Sequence, residues 1–218
     1  IEEQQALHVI DAHPAQILSD LMTIAEYKLM VSLDDKWSDV NFQDLKLAYF
    51  GDCRNNVTYD LMRAGALMGF TVTVCGPQDY PVEDSVWEEV NELCKATGAK
   101  IRYTPNVDEA IRDADVVYTD SWMSYHIPVS QEATRIQKFQ PYQITTELLG
   151  KAKGDVIFMN CLPAQRGREQ TAEVIDGPHS IVYDQAENRL HAQKALLLYL
   201  KQGEAVLNEC AVDEEILA

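Results

Sequence analysis

Residues 45–77, LKLAYFGDCRNNVTYDLMRAGALMGFTVTVCGP, decide the fold. Leu45–Gly51 is an apolar run ending in Gly-Asp and reads as a strand. Val57–Gly69 carries helical spacing and closes on Gly69. Thr71–Cys75 is β-branched and stops at Gly76-Pro77, so it reads as a second strand. Strand, helix and strand at these lengths make the unit from which parallel sheets are built.

The same alternation continues in both directions. Downstream, Val82–Thr97 is an acidic helix capped by Gly98, and Lys100–Tyr103 a short strand. Val107–Asp113 reads as a helix and Asp115–Thr119 as a strand running into Asp120-Ser121-Trp122. Gln131–Phe139 and Thr145–Lys151 read as helices, Val156–Asn160 as a buried strand, Ser180–Tyr183 as a last strand and Ala192–Leu200 as a last helix. Upstream, Ile17, Leu18, Leu21, Ile24, Ala25 and Leu29 predict a helix over Ala15–Met30, followed by a polar loop from Ser32 to Asp44. The expectation is one α/β domain over about residues 40–185, a doubly wound, mostly parallel, Rossmann-like sheet with a helix at each end. The acidic tail, 204–218, reads as loosely held.

Composition narrows the function. The 218 residues are 46% hydrophobic and 24% charged, which is globular. Eighteen cations against 35 acids give a net charge of −17, a poor basis for binding nucleic acid or an anionic membrane. No apolar run approaches the roughly 18 residues of a membrane helix, and no basic-then-apolar leader is visible. The five cysteines (Cys53, Cys75, Cys94, Cys161, Cys210) are odd in number and form no CxxC, and HExxH is absent. Free thiols in a reducing compartment are the expectation, the cytoplasm or an organelle matrix. The chain opens on Ile1 rather than Met, which reads as a fragment or a processed product.

In a doubly wound sheet ligands sit beyond the carboxyl ends of the strands. The first such end, Gly51-Asp52-Cys53-Arg54-Asn55-Asn56, lacks the GxGxxG of a dinucleotide site. Asn56 stands at a helix start, as a cap or as an amide for a ligand. Asp120, with Ser121 and Ser124 in the next such segment, pairs an acid with hydroxyls that suit an ammonium group; a capped turn is the plain alternative. Cys161, in Asn160-Cys161-Leu162-Pro163, is either a partly ionised thiol near turn amides or an inert buried one. His13-Pro14-Ala15-Gln16 opens the first helix, where exposed N–H groups favour an anion. Arg189 follows the last strand and reaches either an anion or a salt-bridge partner.

In order along the chain these segments read HPAQ, GDxxNN, DSWxS, NCLPA and DQAENR. The set resembles the ornithine carbamoyltransferases, which carry HPxQ, GDxxNN, DxWxSMG, HCLPA and D(E/Q)AENR in that order, and the likeness covers about residues 12–200. The resemblance implies transfer of the carbamoyl group of carbamoyl phosphate to the side-chain amine of ornithine, with citrulline and phosphate as products. It implies that His13, Pro14, Gln16, Cys161, Leu162 and Arg189 meet carbamoyl phosphate, with His13 donating to its carbonyl oxygen. It gives Asn56, Asp120, Ser124 and Tyr125 to ornithine, and makes Cys161, Asp120 and His13 the catalytic group. No metal or organic cofactor is called for.

Three departures qualify it. Asn160 replaces the family's His and cannot titrate near neutral pH. Ser124-Tyr125-His126 replaces Ser-Met-Gly, so a related amine such as putrescine is the alternative acceptor. The family's Ser-x-Arg-Thr-Arg phosphate grip does not occur in the 218 residues. The resemblance therefore implies the acceptor-binding half: residues 1–35 a remnant of a carbamoyl-phosphate domain with an interdomain helix, 36–188 the ornithine-binding domain, 189–218 the second interdomain helix and tail. It also implies a homotrimer in the complete protein, and apolar faces on Ala15–Met30 and Ala192–Leu200 that lack a partner here. A non-catalytic amino-acid-binding paralogue and another Rossmann-like enzyme are the competing readings.

Overall fold

A computed structural model describes residues 12–32, 39–123 and 127–203. Five strands form one parallel sheet in the order β3-β2-β1-β4-β5. They are β1 Lys46–Phe50, β2 Thr71–Cys75, β3 Ile101–Thr104, β4 Val116–Thr119 and β5 Ile157–Met159. The helices are α1 Pro14–Lys28, α2 Asn56–Met68, α3 Asp84–Thr97, α4 Val107–Ile111, α5 Glu132–Phe139, α6 Thr146–Leu149, α7 Ala172–Ile175 and α8 Val182–Gln202.

β1, β4 and β5 are buried on both faces and nearly all apolar, whereas β2 alternates Thr with Val and the edge strand β3 carries the exposed Arg102. The period of two survives in the partition of side chains between layers. Leu47, Tyr49, Val72, Val74, Val116, Tyr118, Ile157 and Met159 share one core with α1, α2 and α3. Ala48, Phe50, Cys75, Val117 and Phe158 share the other with α4, α6 and α7. Caps end the helices where the sequence punctuates them: Gly69 and Gly98 close α2 and α3 in the left-handed conformation, at φ 86° and 74°.

The expected strand at Ser180–Tyr183 is not one. Ser180 makes a single bridge to Phe158, and from Val182 the chain is helical for 21 residues. Ile181 and Val182 point into the cores as a helix entry, and no Gly or Pro interrupts the run before Gly203. The helix expected at Ala192–Leu200 thus begins ten residues earlier, and DQAENR lies on its first turns. The boundary drawn between 188 and 189 falls inside this continuous helix.

α1 and α8 pack together through a polar seam. Ser19 Oγ donates to the Gln185 carbonyl at 3.1 Å, Tyr27 OH to Asp184 at 2.7 Å, and Asn188 Nδ2 to Thr23 Oγ1 at 3.0 Å. Away from it, Leu18 and Met30 on and after α1, and Leu190, Leu197 and Leu200 on α8, are exposed. Among the described residues no helix is long and apolar enough to cross a membrane. The tail 204–218, Cys210, and the Ser124, Tyr125 and His126 of the acceptor segment lie outside the described residues.

Candidate functional site

The chain leaves β1 toward β2 and β3 on one side, and later returns to β4 and β5 on the other. The crevice of such a sheet therefore opens beyond the carboxyl ends of β1 and β4. Those ends are tied by Phe50 pairing with Thr119, whose Oγ1 donates to the Phe50 carbonyl at 2.7 Å. Gly51 follows with φ 125°, and a Cβ there would come within 3.1 Å of the Trp122 indole nitrogen. Only glycine meets both demands.

At this crevice sits Asp120, buried at the end of β4. Its Oδ1 accepts the Ser121 N–H at 2.7 Å and the Cys161 thiol at 3.1 Å, and its Oδ2 accepts Asn55 Nδ2 at 3.3 Å. Three segments far apart in sequence thus converge on one carboxylate. Burial pushes its pKa from 3.8 up to about 6; the Cys161 and Ser121 donors pull it down, and nearby Asp52 and Glu169 push it further up. No cationic side chain among the described residues pairs with it.

Cys161 is not a partly ionised thiol. It is buried, and burial together with the Asp120 carboxylate it donates to holds its pKa well above the ordinary thiol value. The turn amides that the sequence offered are outweighed by a neighbouring negative charge. Cys53 and Cys75, at the other strand ends, are also buried with pKa raised by desolvation, Cys75 to about 12.

The question of the helix cap resolves in favour of Asn55, whose Oδ1 accepts the Thr58 N–H at 2.7 Å. Asn55 is buried, and its Nδ2 also donates to Tyr49 OH at 2.9 Å. Asn56 is the first residue of α2 and only partly buried, its Oδ1 taken by the Val57 N–H at 2.9 Å.

After β5, Asn160 is wholly buried and shapes the turn. Its Oδ1 accepts the Leu162 N–H at 2.8 Å, and its Nδ2 donates to Gln170 at 3.3 Å. Leu162 has φ 53°, a left-handed conformation that costs a non-glycine residue about 1–2 kcal/mol, and the Leu162–Pro163 bond is cis.

At the start of α1, Pro14 occupies the first turn and His13 the cap position without a side-chain cap. The His13 N–H donates to Asp60 on α2. Burial first, then the Arg189 guanidinium, lower its imidazole pKa from 6.5, with Asp60 opposing, so the ring is neutral at pH 7. Arg189 on α8 thus stands close enough to act on His13, Asp20 and Cys161 together. Gln16 is wholly buried, its Nε2 donating to Asp20 at 2.8 Å and its Oε1 without a partner among the described residues.

Sequence reasoning missed the groups that brace this site. Asp20 is buried and collects Gln16, Gln185 and Tyr118. Arg135 pairs with Asp52 and donates to the Trp122 carbonyl at 2.7 Å, while Glu169 accepts the Trp122 N–H at 3.2 Å. Two buried charges of opposite sign therefore hold the two peptide groups on either side of Trp122, two residues beyond Asp120. The available signal was an acid or amide at a position that helical spacing makes apolar, as at Asp20. Among the described residues no cluster of His, Cys, Asp and Glu could hold a metal.

A doubly wound parallel sheet with a buried carboxylate at its switch point, without a cationic partner among the described residues, and with no pyrophosphate-binding glycines after β1 defines an α/β domain of a class other than the dinucleotide-binding one. The family model for the aspartate/ornithine carbamoyltransferase Asp/Orn binding domain matches residues 43–200, and the chain belongs to that family. It is 48% identical over 192 residues to an ornithine carbamoyltransferase of Halalkalibacterium halodurans, across 88% of this chain and 56% of that protein. It is 44% identical over 190 residues to one of Bifidobacterium longum subsp. infantis, across 87% and 56%. Among solved structures, the ornithine carbamoyltransferase of Pyrococcus furiosus matches with a TM-score of 0.76 at 41% identity, across 87% of this chain and 56% of that one. The ornithine transcarbamoylase of Giardia lamblia matches with 0.77 at 39%, across 88% and 61%. The chain spans about half the length of the curated relatives it matches.

Proposed function

We propose that this chain is the acceptor-binding part of an ornithine carbamoyltransferase. The observation that carries the reading is Asp120: a buried carboxylate supplied with neutral donors and, among the described residues, left without a cation, at the switch point of the sheet. An α-ammonium group docked there makes a charge-assisted hydrogen bond in a dry setting. The family resemblance gives Asn56, Ser124 and Tyr125 to the rest of the amino-acid head.

Carbamoyl phosphate lies between the start of α1 and the turn after β5. A neutral His13 donates to the carbonyl oxygen and Arg189 adds positive charge, both favouring the oxyanion of the tetrahedral state. Gln16 and the Leu162 carbonyl accept from the carbamoyl NH2. The neutral Cys161 thiol sits where the two substrates meet. The acceptor amine forms a C–N bond to the carbonyl carbon and the C–O bond to phosphate breaks. The amine's proton leaves with phosphate or solvent. The chain's contribution is orientation and electrostatic preorganisation.

The division into residues 1–35, 36–188 and 189–218, homotrimer assembly, and a cytoplasmic or organelle-matrix setting belong to the same proposal. The test is a product assay on the full-length protein with carbamoyl phosphate and either ornithine or putrescine. Citrulline supports the reading. Carbamoylputrescine alone moves the acceptor to a diamine, as the Ser124-Tyr125-His126 segment allows. Ornithine binding without product makes it a binding paralogue.

A further inference from the structure

We propose that Asp20 is a positioning residue that fixes the polarity of the Gln16 amide, so that the carbamoyl site offers a hydrogen-bond acceptor and prefers a carbamoyl group over an acyl group with no N–H. The inference rests on the reading of Gln16 given above.

A glutamine amide has a donor end and an acceptor end of nearly the same shape, and its partners decide which end faces which way. Asp20 is wholly buried on α1 and, when ionised, can only accept. Its Oδ1 takes the Nε2 of Gln16 at 2.8 Å and of Gln185 at 2.7 Å, and its Oδ2 takes Tyr118 OH at 2.9 Å. The carboxylate thus demands the NH2 end of Gln16. The other end, Oε1, is buried and finds no donor among the described residues. Buried polar atoms rarely go unpaired, and those that do call for a ligand or a water. The NH2 of a carbamoyl group supplies the missing donor. The methyl group of acetyl phosphate, of similar shape, leaves the oxygen unpaired.

The same carboxylate orients a second amide. With its Nε2 on Asp20, Gln185 turns its Oε1 to the Asn160 N–H at 3.0 Å, immediately before Cys161. One buried charge therefore governs an amide on α1 and the end of β5. Burial pushes the Asp20 carboxyl up to about 6, and the three donors with Arg189 hold it no higher, so it stays ionised at neutral pH.

The experiment compares acetyl phosphate, as an inhibitor, with carbamoyl phosphate in the citrulline assay of the full-length protein. Asp20→Leu removes the acceptor that demands the Gln16 NH2, so nothing holds the Gln16 oxygen toward the site. The preference for carbamoyl over acetyl phosphate then falls about 10- to 100-fold, with acetyl phosphate affinity little changed. Asp20→Asn can keep its oxygen on Gln16 and Gln185 and turn its NH2 to the Tyr118 hydroxyl, so it keeps the preference. An Asp20→Leu enzyme that weakens both ligands alike overturns the proposal, because a merely structural residue would do that. Neutron diffraction of deuterated wild-type crystals with phosphonoacetamide bound needs no variant to fold: ND2 of Gln16 facing Asp20 supports the proposal, and ND2 facing the ligand overturns it. Gln16→Leu separates the two levels. If its carbamoyl phosphate KM is unchanged, the site reading itself fails; if the preference collapses in Gln16→Leu but survives in Asp20→Leu, the Asp20 proposal fails alone.

Discussion

Replacing Asp120 by Asn is expected to make the protein more stable and less able to hold its acceptor. The pKa rise from 3.8 to about 6 means that ionised Asp120 costs the empty fold about 3 kcal/mol at neutral pH, at 1.36 kcal/mol per unit. Asn keeps an oxygen for the Ser121 N–H and the Cys161 thiol, but sets its NH2 against Asn55 Nδ2, losing one hydrogen bond of about 1 kcal/mol. The balance is about +2 kcal/mol at pH 7.5, roughly 4–8 °C in Tm for a domain of this size. The sign follows from linkage. A carboxyl whose pKa is raised by folding contributes its stability below about pH 4 and loses it as pH rises through about 6. Wild-type Tm therefore climbs as pH falls from 7.5 to 5, and Asp120→Asn flattens part of that climb; Asp20, also raised to about 6, keeps the remainder. In the same variant the acceptor loses a charge-assisted bond worth about 1.5–3 kcal/mol, so its KM rises roughly 10- to 150-fold while that of carbamoyl phosphate stays within a few-fold. Scanning calorimetry across pH and the citrulline assay check the two halves. A lowered Tm at pH 7.5 with an unchanged acceptor KM would refute the reasoning, since Asp120 would then be a structural carboxylate.

Other expectations test the surroundings. Cys161, buried and protonated, reacts with thiol reagents at pH 7 more slowly than the partly exposed Cys94, as peptide mass spectrometry can measure. Arg135→Met breaks the buried ion pair with Asp52 and the hydrogen bond to the Trp122 carbonyl and costs about 3–5 kcal/mol in denaturant melts, while adding Asp52→Leu recovers part of the loss in a double-mutant cycle. Asn55→Ala removes the α2 cap and one donor to Asp120, so it costs about 1–2 kcal/mol and raises the acceptor KM. Gly51→Ala meets both its φ of 125° and the Trp122 ring and costs about 1–3 kcal/mol by the same melts.

The sequence by itself determined the order of layers and the family. The run from Leu45 to Pro77 could be read because apolar strands, a Gly-closed helix and a Gly-Pro stop are local signals, and a parallel strand buried on both faces has little other composition open to it. GDxxNN, DSW and NCLPA follow β1, β4 and β5, as a crevice beyond the carboxyl ends requires, while HPAQ and DQAENR lie on the first turns of α1 and α8. Where local signals conflicted, the tertiary structure decided. Ile181-Val182-Tyr183 has strand composition, yet a strand would have discarded the seam by which Ser19, Thr23 and Tyr27 meet the first turns of α8. Protonation was likewise invisible in one dimension. The state of Cys161 depends on a carboxylate 41 residues away, and that carboxylate's pKa depends on its burial. The polarity of the Gln16 amide depends on Asp20, which helical spacing hides among apolar neighbours and which Gln185 and Tyr118 reach from 165 and 98 residues away. Charge and hydrogen-bond direction are set by whatever fills the space around a group, and only the folded chain brings those neighbours together.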